Sequence, residues 1–194
     1  MLNRLVANWV YGGFLAGVLL LLITPIVVRS WSLAVVSIFL CLPIYMVHQY
    51  EEHDNDRFRH EFNRTIGRGQ EVLSPLVVFI SNVPGVWGVI GIALWLAVTV
   101  DVGLGLIASY LLIVNAVVHV AGAVVFRGYN PGLLTAILLF LPLGGFGLYE
   151  IGETGGGTAW AHVIGLISAI AIHAAVLVHV RGNSQRLARS STAS

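Results

Sequence analysis

The sequence predicts an all-α, polytopic membrane protein built as a six-transmembrane-helix bundle, and three observations predict it. Of the 194 residues 57% are hydrophobic and only 10% charged, with a mean hydropathy of +0.88. The apolar residues fall in six continuous runs, each long enough to cross a bilayer at about 20 residues per helix. Those runs lack the alternation of lipid-facing strands, which sets a barrel aside.

The first run, Ala7 to Val28, follows Arg4 and leads directly into a second, so it reads as a retained helix and not a cleaved signal. Span two runs from Ser32 to Tyr50 and ends in a titratable cluster, His48-Gln49-Tyr50-Glu51-Glu52-His53. Between spans two and three, Phe58, Phe62 and Ile66 recur every four residues among charges. That pattern suits a helix lying at the interface over about 54–70, or an extension of span two into solvent. Spans three to six are Pro75 to Val100, Gly103 to Phe126, Gly132 to Tyr149 and Ala159 to Val180. Pro25, Pro43, Pro84 and Pro142 permit kinks in or near them. Gly85, Gly88 and Gly91 in span three are small enough for close helix packing. Residues 1–183 form one bundle in this reading, and 184–194 a flexible C-terminal tail.

The formal charge is +1, and all ten basic residues are arginine. No basic block is long enough for nucleic acid; the arginines flank spans instead. Arg57, Arg59, Arg64, Arg68, Arg127, Arg181, Arg186 and Arg189 fall on one side, which places both termini in the cytoplasm by the positive-inside bias. The single Cys41 lies within span two and can form no intramolecular disulfide.

A helix turns about 100° per residue, so Glu51 and Glu52 both return toward the face of His48. His119 and His173 each precede an arginine, Arg127 and Arg181, by eight residues. Asn82 follows Pro75 by seven. These positions lie roughly 10–12 Å below the cytoplasmic edge at 1.5 Å per residue. Asn115 is one turn deeper than His119, and Thr135 enters from span five. Polar side chains in lipid point inward and find partners, so residues sharing a depth are candidates for one site.

That set suits a divalent cation. Zinc fits first, with iron or manganese as alternatives, because zinc accepts His nitrogen and carboxylate oxygen with an open position. His48 and Glu52, at i and i+4, supply two ligands, and His119 or His173 a third. Glu51 is left as general base toward a water whose acidity the ion raises, with Asn115 beside it. The bland alternative is a buried salt-bridge cluster in which Glu51 and Glu52 hold Arg57, Arg127 or Arg181. His53 and His60, in the polar segment, read as solvated, and His162 with Glu150 and Glu153 as an outer loop patch.

His48-Gln49-Tyr50-Glu51-Glu52 resembles the signature of the HXXEE family of small bacterial integral membrane proteins. Asn115-Ala-Val-Val-His119, Arg127-Gly-Tyr129-Asn-Pro131-Gly132 and Thr135 resemble it as well. The resemblance implies an all-helical membrane domain in the bacterial cytoplasmic membrane, with His48, Glu51, Glu52, Asn115 and His119 as its functional set. It brings no established reaction. A similarity to CAAX-type intramembrane proteases is one of chemistry only, since Glu51-Glu52 is followed by Arg57 one residue too late and the Asn/His order is reversed.

The function expected is a metal-dependent membrane hydrolase whose lipid-like or other apolar substrate enters from the surrounding membrane lipids. The alternatives are a proton- or metal-binding carrier, a metal-dependent oxidoreductase, and a structural subunit whose cluster holds a partner.

Overall fold

A computed structural model describes residues 1–191. Every regular element in them is helical. Six helices are long and apolar enough to cross a membrane. In chain order these are α1 (Leu2–Val27), α2 (Leu33–His53), α4 (Pro75–Thr99), α5 (Leu106–Phe126), α6 (Leu133–Glu153) and α7 (Ala159–Ser191), with a short α3 (Arg57–Thr65) between α2 and α4.

Local chemistry sets the boundaries. Ser32 caps α2 by accepting from the Val35 N–H at 3.3 Å, and Ser74 caps α4 ahead of Pro75 by accepting from Val77 at 3.4 Å. Asp101 accepts from Gly103 N–H at 2.7 Å and opens the turn into α5. Helix α5 ends at Arg127, whose left-handed φ of 51° turns the chain. A wide turn over Ser81–Trp87 in α4 contains Pro84, which cannot donate to the helical ladder.

Two helices form the centre. Half of the apolar window containing α2 is buried, and 44% of that in α5, against 17–28% in the other four. Helix α2 touches α1, α4, α5 and α6, while α7 lies along α5. Ile38, Cys41, Tyr45, Leu111, Leu112 and Phe140 are among the buried core side chains. The two helices that carry His48 and His119 are therefore the least lipid-exposed, as groups costly to insert into hydrocarbon require.

After His53 the chain breaks. Asn55 and Asp56 adopt left-handed φ of 54° and 60°, a conformation short polar side chains tolerate best. Helix α3 is thus a separate element and not a straight continuation of α2, and it turns Phe58, Phe62 and neighbouring Ile66 onto an internal cavity. Asn63 fastens the loop that follows: its Oδ1 accepts from Val72 and Leu73 N–H at 3.1 and 2.9 Å, and its Nδ2 donates to Leu73 O at 3.0 Å. The segment 184–194, read from sequence as a flexible tail, continues α7 in helical form to Ser191, and residues 192–194 lie outside the described ones. Asn183 ties this part of α7 to Val72 O at 3.1 Å. Asn63→Ala leaves three backbone groups of a buried loop without partners and is expected to cost about 3 kcal/mol. Thermal denaturation, with limited proteolysis across residues 66–74, checks it; unchanged resistance would mean that the loop is held elsewhere.

Candidate metal centre

Helix α2 brings His48, Glu51 and Glu52 to the middle of the bundle, and α5 brings His119. His48 is fully buried, and Glu52 and His119 are 6% exposed. Among the described residues His48, Glu52 and His119 offer ligand atoms all within 4.8 Å of one another. His48 Nε2 lies 3.5 Å from Glu52 Oε2, and His119 Nε2 lies 3.6 Å from Glu52 Oε1.

Hydrogen bonds on the far side of each ring fix what these nitrogens present. Thr135 Oγ1 donates to Glu51 Oε2, a carboxylate oxygen that can only accept, so its single proton is committed there. His48 Nδ1, 2.8 Å from the same hydroxyl, must then carry the proton and donate it. Asn130 Nδ2 donates to the His119 backbone carbonyl at 2.8 Å, which identifies Asn130 Oδ1 as the acceptor facing His119 Nδ1 at 2.7 Å. Both imidazoles are thereby set with Nε2 as a bare lone pair. His48 Nε2 is buried with no hydrogen-bond partner. Two lone pairs and a carboxylate face one another with no proton between them, which is unfavourable unless a cation joins them.

The spacing agrees. Ligand atoms bound at 2.0–2.1 Å in a tetrahedral shell stand about 3.3 Å apart. The observed 3.5 and 3.6 Å are near those edges and long for hydrogen bonds. Glu52 and His119 also line a cavity of about 260 Å³, which leaves the open side of the cluster facing vacant space.

Comparison with known proteins bears on this arrangement. A family described as "Protein of unknown function with HXXEE motif" matches residues 39–146, more than half of the chain. The chain belongs to the HXXEE family. No curated protein and no solved structure matches it.

Within the HXXEE segment, the two glutamates have different tasks. Glu51 does not face the cavity as the expected general base. Its Oε1 accepts from Tyr129 Oη at 2.7 Å and Leu134 N–H at 3.1 Å, and its Oε2 from Thr135 N–H at 2.7 Å and the Thr135 hydroxyl. It neutralises the positive N-terminal end of α6 and holds Thr135 against His48. Partial burial and the Glu51 carboxylate together raise the Tyr129 phenol above its ordinary pKa. Glu51 and Glu52 spend their oxygens on groups other than Arg57, Arg127 and Arg181, so the salt-bridge alternative does not describe them.

The remaining candidates fall at varying distances from the cluster. Asn115 donates to Tyr45 Oη at 2.8 Å on the cavity wall, and its Oδ1 is buried without a partner. His173 also lines the cavity, but stands outside the 4.8 Å cluster. Its Nδ1 lies 2.8 Å from Ala169 O, a carbonyl that can only accept, so its Nε2 too is bare. Asn82 reaches the cavity but is engaged by Gln49 at 2.8 Å and Val78 O at 2.9 Å. His53, expected in solvent, is 5% exposed, packed between Trp9 and Phe58 with its Nε2 3.1 Å from Glu52 Oε2. His162 pairs with Tyr110 Oη at 2.9 Å, which ties α7 to α5 away from the cluster.

Tyr129, Asn130 and Thr135 were visible in the HXXEE pattern as residues but not as a brace. Asn130→Ala frees the His119 ring and its tautomer, and is expected to weaken zinc binding about 10–100-fold. Isothermal titration of the metal-free protein measures this; unchanged affinity would show that His119 is not a ligand.

Proposed function

We propose that this HXXEE protein is a metal-dependent integral membrane enzyme, a hydrolase acting on a lipid or other apolar substrate. What carries the reading is the convergence of three acceptor atoms, two with their tautomers set from behind, on the wall of a largely apolar cavity. His48, Glu52 and His119 would hold the ion, zinc by its donor set, with iron or manganese as the alternatives. Such an ion, when bound, polarises a carbonyl and acidifies water.

The chain's own residues supply the rest. Thr135 and Asn130 orient the two imidazoles. Glu51 acts through Thr135 and is a positioning residue. His173, with a bare Nε2 on the cavity wall, takes over as general base the role that Glu51 is placed too far round the helix to perform. Asn115 and Tyr45 orient the substrate. The membrane is the bacterial cytoplasmic one, with both termini and the cavity on the cytoplasmic side, as the arginine distribution favours.

A proton-binding or carrier protein is the second reading, favoured by His53 Nε2 at 3.1 Å from Glu52. Incubating zinc-, iron- and manganese-loaded protein with a bacterial lipid extract in ¹⁸O-labelled water, followed by mass spectrometry, separates the possibilities. Label in a released acid or alcohol is expected. Label arriving only from ¹⁸O₂ would make it an oxidoreductase, and no metal-dependent product would leave the carrier reading.

A further inference from the structure

The cavity has a chemical bias of its own. Its polar wall consists of acceptors and neutral groups: the Glu52 and Glu61 carboxylates, the bare Nε2 of His173, and the Asn115 Oδ1 that is buried without a donor. No arginine or lysine is among the described residues that line it. Arg64, which binds Glu61 at 2.7 Å, has a largely exposed side chain and is not part of the wall. The other feature that recognises anions, a helix N-terminus, is present nearby at Leu134 and Thr135, but Glu51 already occupies it. An anionic head group would bring negative charge to a wall that can neither pair with it nor donate to its oxygens.

Asn115 Oδ1 asks for the opposite partner. The Asn115 amide is held by its bond to Tyr45 Oη, so the orphaned oxygen keeps a fixed direction, and a buried acceptor without a donor is costly. The apolar wall gives the way in. Val118 and Phe126 of α5 and Leu177 of α7 line the cavity while being 51%, 57% and 57% exposed, so it communicates with the outer surface of the bundle between these helices.

We infer that the cavity takes an amphiphile from the membrane whose head group donates a hydrogen bond to Asn115 and carries no negative charge: an alcohol, an amide or an amine, and not an anionic phospholipid. The inference deepens the hydrolase reading and rests on the same cavity, but it concerns recognition by the chain alone.

The test uses four photoreactive diazirine probes with one chain length and different heads: primary alcohol, primary amide, carboxylate and phosphate. Each is added at equal membrane concentration to the full-length protein in lipid nanodiscs, and labelled peptides are mapped by mass spectrometry. The alcohol and amide are expected to label cavity residues at least about tenfold more than the two anions, as one decided hydrogen bond implies. Asn115→Leu, which keeps the bulk and loses the acceptor, should abolish that preference, and Asn115→Asp, which keeps an acceptor, should retain it. Equal or greater labelling by the phosphate or carboxylate probe overturns the inference, as does absence of cavity labelling by all four. The wild-type comparison stands even where a variant does not fold. Running it with chelator and with zinc separates the two readings: lost metal binding with the head-group preference intact sinks the metalloenzyme alone, whereas bound metal without the preference sinks this proposal alone.

Discussion

Glu52→Gln is expected to abolish metal binding while leaving the metal-free protein at least as stable as the wild type. Wild-type protein, reconstituted with zinc, should hold about one equivalent, and the variant less than a tenth of that. Removing a brace behind a ligand already costs about 10–100-fold in affinity, so removing the only charged ligand of three should cost more. The metal-free protein runs the other way. Its Glu52 is 6% exposed and faces two imidazole lone pairs, a buried charge with poor compensation. A glutamine removes that charge and can donate to one of those nitrogens. Metal at about 100 times its dissociation constant stabilises a folded protein by about 2.7 kcal/mol. That is a rise of about 5–10 °C in Tm for a chain of this size, present in the wild type and absent in the variant. Metal analysis by mass spectrometry and thermal denaturation with and without chelator measure both effects. A metal-free Glu52→Gln protein several degrees less stable than wild type would instead identify the carboxylate as the partner of a protonated His53.

The parts of this arrangement that sequence discloses are those set by hydrophobicity and helical depth. Six spans follow from the apolar runs because lipid demands continuous helices, and the structure has six such helices. His48, Glu52 and His119 share a depth, and the structure brings them within 4.8 Å. Rotation about the helix axis is where depth stops helping. Glu51 and Glu52 lie about 60° and about 40° to either side of His48, so they flank it. Only the identity of the neighbouring helices decides that one side meets the start of α6 and the other the cavity. His53 was read as solvated because it precedes a run of charges. It is buried because Trp9 from α1 and Phe58 from α3 close over it, and both contacts come from far along the chain or across a break. The brace is hidden for a similar reason: Tyr129, Asn130 and Thr135 read as a turn and a helix start, and their hydrogen bonds exist only once α5 and α6 are packed on α2.

Gly132→Ala is expected to be the most damaging single-methyl change in the chain, costing more than about 3 kcal/mol and the metal site with it. Two independent costs meet there. Gly132 has φ +97°, a left-handed conformation that any residue with a Cβ resists by about 1–2 kcal/mol. The added methyl would also stand 2.7 Å from His119 Cε1 and 2.9 Å from His48 Cε1, inside contact distance of both rings. Neither ring can retreat freely. Thr135 and Asn130 hold them from behind, and His48 packs on Phe140 with ring centroids 4.2 Å apart. Relief therefore requires moving the turn that carries Asn130 and Thr135, which breaks the bonds that set both tautomers. The variant should show a Tm lower by several degrees and zinc affinity reduced at least as far as in Asn130→Ala. Gly128→Ala is the control, because a Cβ there meets nothing nearer than 3.9 Å and should change little. Equal behaviour of the two variants would mean that the turn does not brace the rings, and that the lone pairs facing Glu52 are not held in place from α6.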